Sequence, residues 1–242
     1  MKKTPYIILT FLFLVTPVFA ESQQKSGVTA QVILDRSRYY LNETTASFWD
    51  DDTDMLAYLN AAIMDVVRKT ECLETTENIK LVTGQTEYSL SSNYLSVEKA
   101  IYSGVTTEYN DLTEKGLPRI NLKDLGHQEG TGEPLGYCIW NDQFLVDPQP
   151  SSGVSDYIIT VYEIERPSEI TIISGADPSG NSEIPIPAKY DDALSMYVAY
   201  KAAIRSQNFG LSTFLKGQYD AFITEEIQRS GLLRKKFEEL PK

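Results

Sequence analysis

Few residues in this sequence have the types and spacing that catalysis needs. His127 is the only histidine, so no two-histidine metal site can form, and no serine or cysteine stands in a recognisable nucleophile turn that His127 could serve as base. The 34 acidic residues could supply carboxylate pairs for acid–base chemistry, but no spacing singles one pair out. We therefore predict no catalytic residue, interpret His127 as a surface residue and expect the protein not to be an enzyme.

The two cysteines, Cys72 and Cys138, do not form a metal-binding pattern either. Neither belongs to a CxxC pair and neither has a neighbouring histidine, so the sequence predicts no zinc site and no other cofactor. We interpret both as small core residues, Cys72 at the end of a helix and Cys138 in a strand. A disulfide between them is expected only if the protein is exported to an oxidising compartment.

The acidic run at residues 50–54, DDDTD, has the appearance of a calcium loop. A loop of the EF-hand type needs glycine at its sixth position and glutamate at its twelfth, and counting from Asp50 these positions hold Met55 and Ala61. The run instead suits the start of a helix, where carboxylates favour the positive end of the helix dipole. An apolar stripe at helical spacing follows it, made of Met55, Leu56, Leu59, Ala62, Ile63, Val66 and Val67.

The charge balance limits the partners that the protein can have. The net charge of -12 argues against a basic face that would bind duplex DNA tightly or read its sequence. It is compatible with an acidic channel through which DNA passes without being held. No phosphate-cradling glycine loop is present, and we predict no small-molecule substrate.

Residues 1–20 have the pattern of a secretory signal. Lys2 and Lys3 precede an apolar run at residues 6–15, and a small-residue end at Ala20 precedes Glu21. The run is shorter than the roughly 20 residues of a membrane-spanning helix. Two alternatives are an apolar arm that packs on a partner and a start codon that is placed too early.

Helical periodicity appears on both sides of a strand-rich middle. We predict helices over residues 29–41 and from residue 50 onward, and two more over residues 190–208 and 211–231. The last two are joined by so short a connection that they should pack as an antiparallel pair. The apolar stripe of the final helix, interpreted as core, comprises Leu211, Phe214, Leu215, Tyr219, Phe222, Ile223 and Ile227.

The middle of the chain predicts a set of short antiparallel strands. Three strands are predicted over residues 79–83, 87–90 and 95–102, a short helix or strand within residues 109–125, and a further strand over residues 170–174. Residues 137–146 and 158–163 are predicted to form two strands joined by a turn at residues 147–153, because two prolines and a glycine interrupt the run there.

These patterns predict an α+β fold, a helical bundle that carries an inserted antiparallel β-rich domain. The expected segments are 1–20 (signal-like), 21–75 (helical), 76–186 (β-rich insertion), 187–231 (helical hairpin) and 232–242 (tail). The tail contains an apolar and basic group in an otherwise acidic protein: Leu232, Leu233, Arg234, Lys235, Lys236 and Phe237. A tail of this kind suits docking on a partner, and continuation of the last helix is equally compatible.

The sequence resembles the head-to-tail adaptor (connector) proteins of tailed bacteriophages. The matching residues, in chain order, are Trp49, 59–62 (LNAA), 83–90 (TGQTEYSL), 132–137 (GEPLGY), 145–150 (LVDPQP), Tyr162 with Pro167, and 186–194 (IPAKYDDAL). The resemblance implies a non-enzymatic virion protein at the head–tail junction, assembled in the host cytoplasm. It implies a homo-oligomeric ring, often of twelve copies, which contacts the portal protein and a tail protein. The tail at residues 232–237 would then be a candidate portal or subunit interface.

A second hypothesis is an exported, non-enzymatic binding protein of the periplasm or envelope, cleaved after Ala20. It explains only the first 20 residues, whereas the adaptor resemblance extends from Trp49 to Arg229. Oligomeric state separates the two hypotheses, because the first requires a ring and the second a monomer or small oligomer.

Overall fold

The computed structural model describes residues 26–43, 54–103, 114–120, 130–154, 157–170 and 183–238. Four helices and nine strands lie in these ranges, so the fold is mixed α+β as the sequence predicted. The helices are α1 Ala30–Tyr40, α2 Leu56–Thr70, α3 Asp191–Arg205 and α4 Phe209–Glu238. The strands are β1 Glu74–Lys80, β2 Glu87–Ser89, β3 Tyr94–Ser103, β4 Glu114–Leu117, β5 Thr131–Gly132, β6 Gly136–Trp140, β7 Gln143–Asp147, β8 Gln149–Pro150 and β9 Ile158–Glu165.

The first two helices form where apolar periodicity predicted them. α1 matches the prediction over residues 29–41, and α2 buries most of the predicted stripe. α2 ends because Glu71 adopts a left-handed conformation, from which its N–H donates to the carbonyl of Val67 at 2.8 Å. Cys72 follows just beyond this end. The predicted helix start at residues 50–53 lies outside the described residues.

The predicted end of the last helix at Ser230 and Gly231 is wrong. α4 continues through both residues to Glu238, so the tail at residues 232–237 extends this helix. A single glycine inside a helix costs only about 1 kcal/mol relative to alanine, and the leucine, arginine and lysine residues that follow Gly231 are good helix formers.

The larger sheet has the strand order β1-β9-β3-β4, and all its neighbouring pairs are antiparallel. β2 and β3 confirm two predicted strands, and β4 is the short element predicted within residues 109–125. The prediction of a strand over residues 79–83 is wrong in position, because β1 ends at Lys80. Its sequence, ETTENIK, buries only Ile79, so a search for apolar alternation misses it.

The predicted pairing of residues 137–146 with 158–163 across the turn at 147–153 is also wrong. Residues 136–147 form a hairpin by themselves, in which β6 and β7 are joined by Asn141 and Asp142. Both residues have positive φ, 50° and 60°, which is the conformation of a two-residue hairpin turn whose twist matches the strands. β9 pairs instead with β1 and β3, and β7 pairs with β2 in a second, three-stranded sheet.

Two clusters of buried apolar side chains hold these elements together. One lies among the four helices and takes in Ile164, Ile170, Ile184 and Ile186 from the segments beside them. The other lies among the strands, with Phe144 fully buried in it. Cys72 belongs to the helical cluster, and Cys138 is buried in β6; both are free thiols, and their interpretation as core residues is confirmed.

The connection between the insertion and the helices is fixed by one asparagine. The side-chain amide of Asn60, on α2, donates to the carbonyl of Ile170 at 3.2 Å and accepts from the N–H of Ile170 at 2.9 Å. This reciprocal pair satisfies the backbone of a residue that is not part of a strand. The predicted strand over residues 170–174 is not present at Ile170, and its remaining residues lie outside the described ranges.

Candidate interaction surfaces

The helices meet along a seam of aromatic side chains on α3 and α4. The rings of Tyr197 and Tyr219 contact edge to face with centroids 5.2 Å apart, and Tyr197 makes a similar contact with Tyr200 at 4.8 Å. Further along, Tyr190 contacts Phe222 at 6.3 Å. Such pairs stabilise a helix interface beyond the area that they bury. The seam therefore gives α4 a fixed face toward the core.

A partly buried hydrogen bond ties this seam to α2. The hydroxyl of Tyr219 donates to a carboxylate oxygen of Asp65 at 2.5 Å, and Lys69 pairs with the same oxygen at 2.7 Å. Burial raises the pKa of the Tyr219 hydroxyl far above its ordinary value, and the neighbouring carboxylate of Asp65 raises it further. Tyr219 therefore stays protonated and acts as a permanent donor, which is a structural role.

The opposite face of α4 carries apolar side chains that no described residue covers. Phe214 is 62% exposed and Phe209, at the start of the helix, is 64% exposed. Gly210 and Gly217 lie four residues before and three after Phe214, on the same side of the helix, and a side chain added at either glycine would meet open space. Small residues beside an exposed phenylalanine form a surface that another helix can approach closely. The prediction that Phe214 belongs to the core is wrong, and so is the same prediction for Ile227, which is 41% exposed.

The end of α4 nearest the tail carries a small ionic group. The ammonium of Lys189 donates to Glu226 at 2.7 Å, and Arg229 approaches the other oxygen of Glu226 at 3.6 Å. Lys189 lies in the short turn that precedes α3. Its ion pair with Glu226 therefore holds this turn against α4. The predicted interface at residues 232–237 begins one turn further on, as a continuous extension of the same helix.

Among the described residues of the β-rich insertion, one buried carboxylate oxygen has no hydrogen-bond partner. Glu163, on β9, is only 3% exposed, and its Oε2 atom has no hydrogen-bond partner. Burial raises the pKa of this carboxyl from 4.5 to about 6, and the charges of Glu77 and Glu165 add to the effect. Glu77 itself accepts a hydrogen bond from the Ser91 N–H at 2.9 Å. Reasoning from the sequence missed this site, because the β9 sequence does not tell which of its faces is buried.

The described residues contain neither a cluster of side chains that could bind a metal ion nor a helix that could span a membrane. Among them, no three histidine, cysteine, aspartate or glutamate side chains come together as a metal site would require. None of the helices in the described ranges has both the length and the apolarity to cross a membrane. His127 and the signal-like residues 1–20 lie outside the described ranges.

Comparison with known proteins agrees with the resemblance found in the sequence. The search of curated proteins finds no match to this chain. The sequence model of one family, described as SU10 adaptor protein, matches residues 28–235. This match covers most of the chain, including all four helices up to the last turn of α4 and every described strand. The chain therefore belongs to the SU10 adaptor protein family, and it is a structural adaptor of the phage head-to-tail type.

Proposed function

We propose that this protein forms a ring between the portal and the tail of a bacteriophage, and that the genome passes through this ring. The family match over residues 28–235 is the observation that carries the proposal. The ring consists of copies of this chain, with twelve as the expected number. It contacts the portal protein on one side and a tail protein on the other.

In this proposal the helical part, residues 21–75 and 187–231, is a bundle that builds the ring. The contacts of Tyr197 with Tyr219 and of Lys189 with Glu226 support an antiparallel hairpin of α3 and α4. Lys189 lies just before α3 and meets the later residue of α4, whereas Tyr197, within α3, meets the earlier one. The β-rich insertion, residues 76–186, is a separate domain that points outward or toward the tail. Its own buried cluster supports this division.

The tail at residues 232–242 would grip the portal or the neighbouring subunit. Its apolar and basic group consists of Leu232, Leu233, Arg234, Lys235, Lys236 and Phe237. The helical backbone continues without interruption through Glu238 and so extends beyond the part of α4 that contacts the core. This continuity supports the role of the tail. The acidic remainder of the chain would face the channel, where DNA slides without being bound.

The first test is the size of the full-length protein in solution. Sedimentation velocity and native mass spectrometry should show a single large oligomer, and negative-stain images should show rings with a central opening. Binding to the purified portal protein should accompany ring formation. A monodisperse monomer at high concentration with no portal binding would contradict the proposal.

The role of the tail is tested by charge reversal with a matched control. Lys235→Glu should weaken portal binding at least tenfold, since it replaces an attractive contact with a repulsive one. Lys99→Glu makes the same charge change on an exposed position of β3, far along the chain from the tail. Equal portal affinity of the two variants would remove the tail from the interface.

The exported alternative is tested by the N-terminus of the mature protein. If the protein is recovered from the periplasm with Glu21 as its first residue, export is real and the proposed role at the head–tail junction is excluded. If it is recovered from the cytoplasm with residues 1–20 intact, the apolar segment belongs to the working protein.

A further inference from the structure

The side of α4 that faces away from the core is apolar over three turns. Phe214 is 62% exposed there, and Gly210, Gly217 and Ala221 are exposed at steps of three and four residues along the same side. A side chain added at either glycine would meet open space. We call these four positions the outward face of α4. It extends over about 16 Å, since each helical residue adds about 1.5 Å.

The same chain contains an apolar segment that needs a partner of this kind. Residues 6–15 read YIILTFLFLV, without a charged side chain. A continuous apolar surface of that size is rarely left in contact with water. The proposed function keeps this segment on the protein in the cytoplasm, so it needs another surface to cover it. Ten helical residues are about 15 Å long, which matches the length of the outward face of α4.

The described chain begins close to α4. The hydroxyl of Ser26 lies within hydrogen-bond distance of both carboxylate oxygens of Asp191, at 2.8 and 2.9 Å. Two residues before Asp191, the ammonium of Lys189 donates to Glu226 at 2.7 Å. The start of α3 thus contacts both the first described residue and the later half of α4. The N-terminal segment therefore leaves the described chain near the level of Glu226.

The connecting residues are long enough to bring the segment to the outward face. Residues 16–25 span up to about 33 Å when extended. Ala221 lies about 8 Å along the helix from Glu226, and packed helix axes are about 8–10 Å apart, so a path around α4 to its far side needs about 20 Å. A tether of this length gives the segment an effective concentration on the order of millimolar at that face. A separate molecule would have to compete with it.

We propose that residues 6–15 pack on the outward face of α4 in their own copy. The occupant of the face is then a segment of this chain, and the run that has the pattern of an export signal is a structural part of the folded subunit. This inference rests on the proposed function, because only a protein that keeps residues 1–20 can use them in this way.

The rate at which a cysteine on the face is labelled tests the proposal. Gly217→Cys places a thiol in the middle of the outward face, and Leu9→Asp with Phe11→Asp puts two charges into the apolar run. In full-length protein diluted to the monomer, maleimide should label Gly217→Cys at least tenfold faster when the two aspartates are present. Lys216→Cys, on an exposed side of α4 outside the face, should be labelled at the same rate in both backgrounds. Both native cysteines are buried, and the wild type measures their background.

A cross-link within one chain provides a second measurement if the aspartate variants aggregate. The double variant Phe11→Cys and Gly217→Cys, treated with a short bis-maleimide at low protein concentration, should give a product of monomer mass with altered gel mobility. The matched pair Phe11→Cys and Lys216→Cys should give at least tenfold less of this product. Multimers in place of the intrachain product would show that a neighbouring copy occupies the face, which overturns the proposal.

The outcomes separate this proposal from the proposed function. If the N-terminus is intact and Gly217→Cys is labelled equally fast in both backgrounds, the packing of residues 6–15 is wrong, whereas rings and portal binding remain as tests of the adaptor role. If the protein begins at Glu21, both proposals fail. Slow labelling that appears only at concentrations where rings form assigns the face to a neighbouring copy and overturns the proposal. Slow labelling in the monomer, lost with the two aspartates, supports it.

Discussion

Replacing Glu163 with glutamine should change how the stability of the protein depends on pH. The carboxyl of Glu163 is buried on β9 with Glu77 of β1, Glu165 of its own strand and the Tyr94 hydroxyl of β3 as its ionisable neighbours. Its pKa rises from 4.5 to about 6 on folding. The folded state therefore prefers the protonated form, and ionisation works against folding.

The size of the effect follows from the shift in the pKa. Each pKa unit corresponds to about 1.4 kcal/mol, so a shift from 4.5 to about 6 amounts to about 2 kcal/mol. The stability that protonation of Glu163 provides is complete below about pH 4.5 and is lost as the pH rises through about 6. Relative to Glu163→Gln, the wild type should therefore become less stable by about 1.6 kcal/mol between pH 4.5 and pH 7.5.

Urea unfolding of both proteins at these two pH values measures the difference directly. Glutamine introduces a buried amide whose cost does not depend on pH, so the change between the two pH values is the informative quantity. Glu87→Gln, at an exposed position of β2, removes the same charge and should show a change of less than about 0.5 kcal/mol. The reasoning would be refuted if the difference in free energy of unfolding between the wild type and Glu163→Gln were the same at pH 4.5 and pH 7.5.

Two further substitutions test the contacts that join the helices to each other and to the insertion. Tyr219→Phe removes the partly buried hydrogen bond to Asp65 and should lower the free energy of unfolding by about 1.5 kcal/mol, measured by urea denaturation. Asn60→Ala leaves the N–H and C=O of Ile170 without their side-chain partner and should cost about 2 kcal/mol. The same variant should speed hydrogen exchange at the amide of Ile170 more than at the amides within α3, and uniform exchange rates would contradict a local connection.

The helices could be predicted from the sequence because their information is local. α1, α2 and α3 bury apolar side chains at a spacing of three and four residues, and this spacing is visible in any window of the sequence. The stripe of α4 was predicted too broadly. Phe214 and Ile227 were counted in the stripe, but the packed structure leaves both of them exposed.

The strand pairing could not be predicted because its information is distant in the chain. β9 lies between β1 and β3, each more than 50 residues away, and no local pattern specifies that arrangement. The turn at Asn141 and Asp142 did carry a local signal, since both residues tolerate positive φ. The more conspicuous prolines at 148 and 150 obscured it. Among the candidate surfaces, the tail was visible from its composition, whereas the isolation of Glu163 depends on burial that only the fold creates.

β1 illustrates how a sequence without apolar alternation can still form a regular strand. Of its seven residues only Ile79 is buried, so hydrophobic burial contributes little to holding it in place. Its threonines favour extended backbone, and backbone hydrogen bonds to β9 supply the rest of its stability. The polar character of β1 therefore conceals it from a search for apolar alternation, although its backbone is regularly paired with β9.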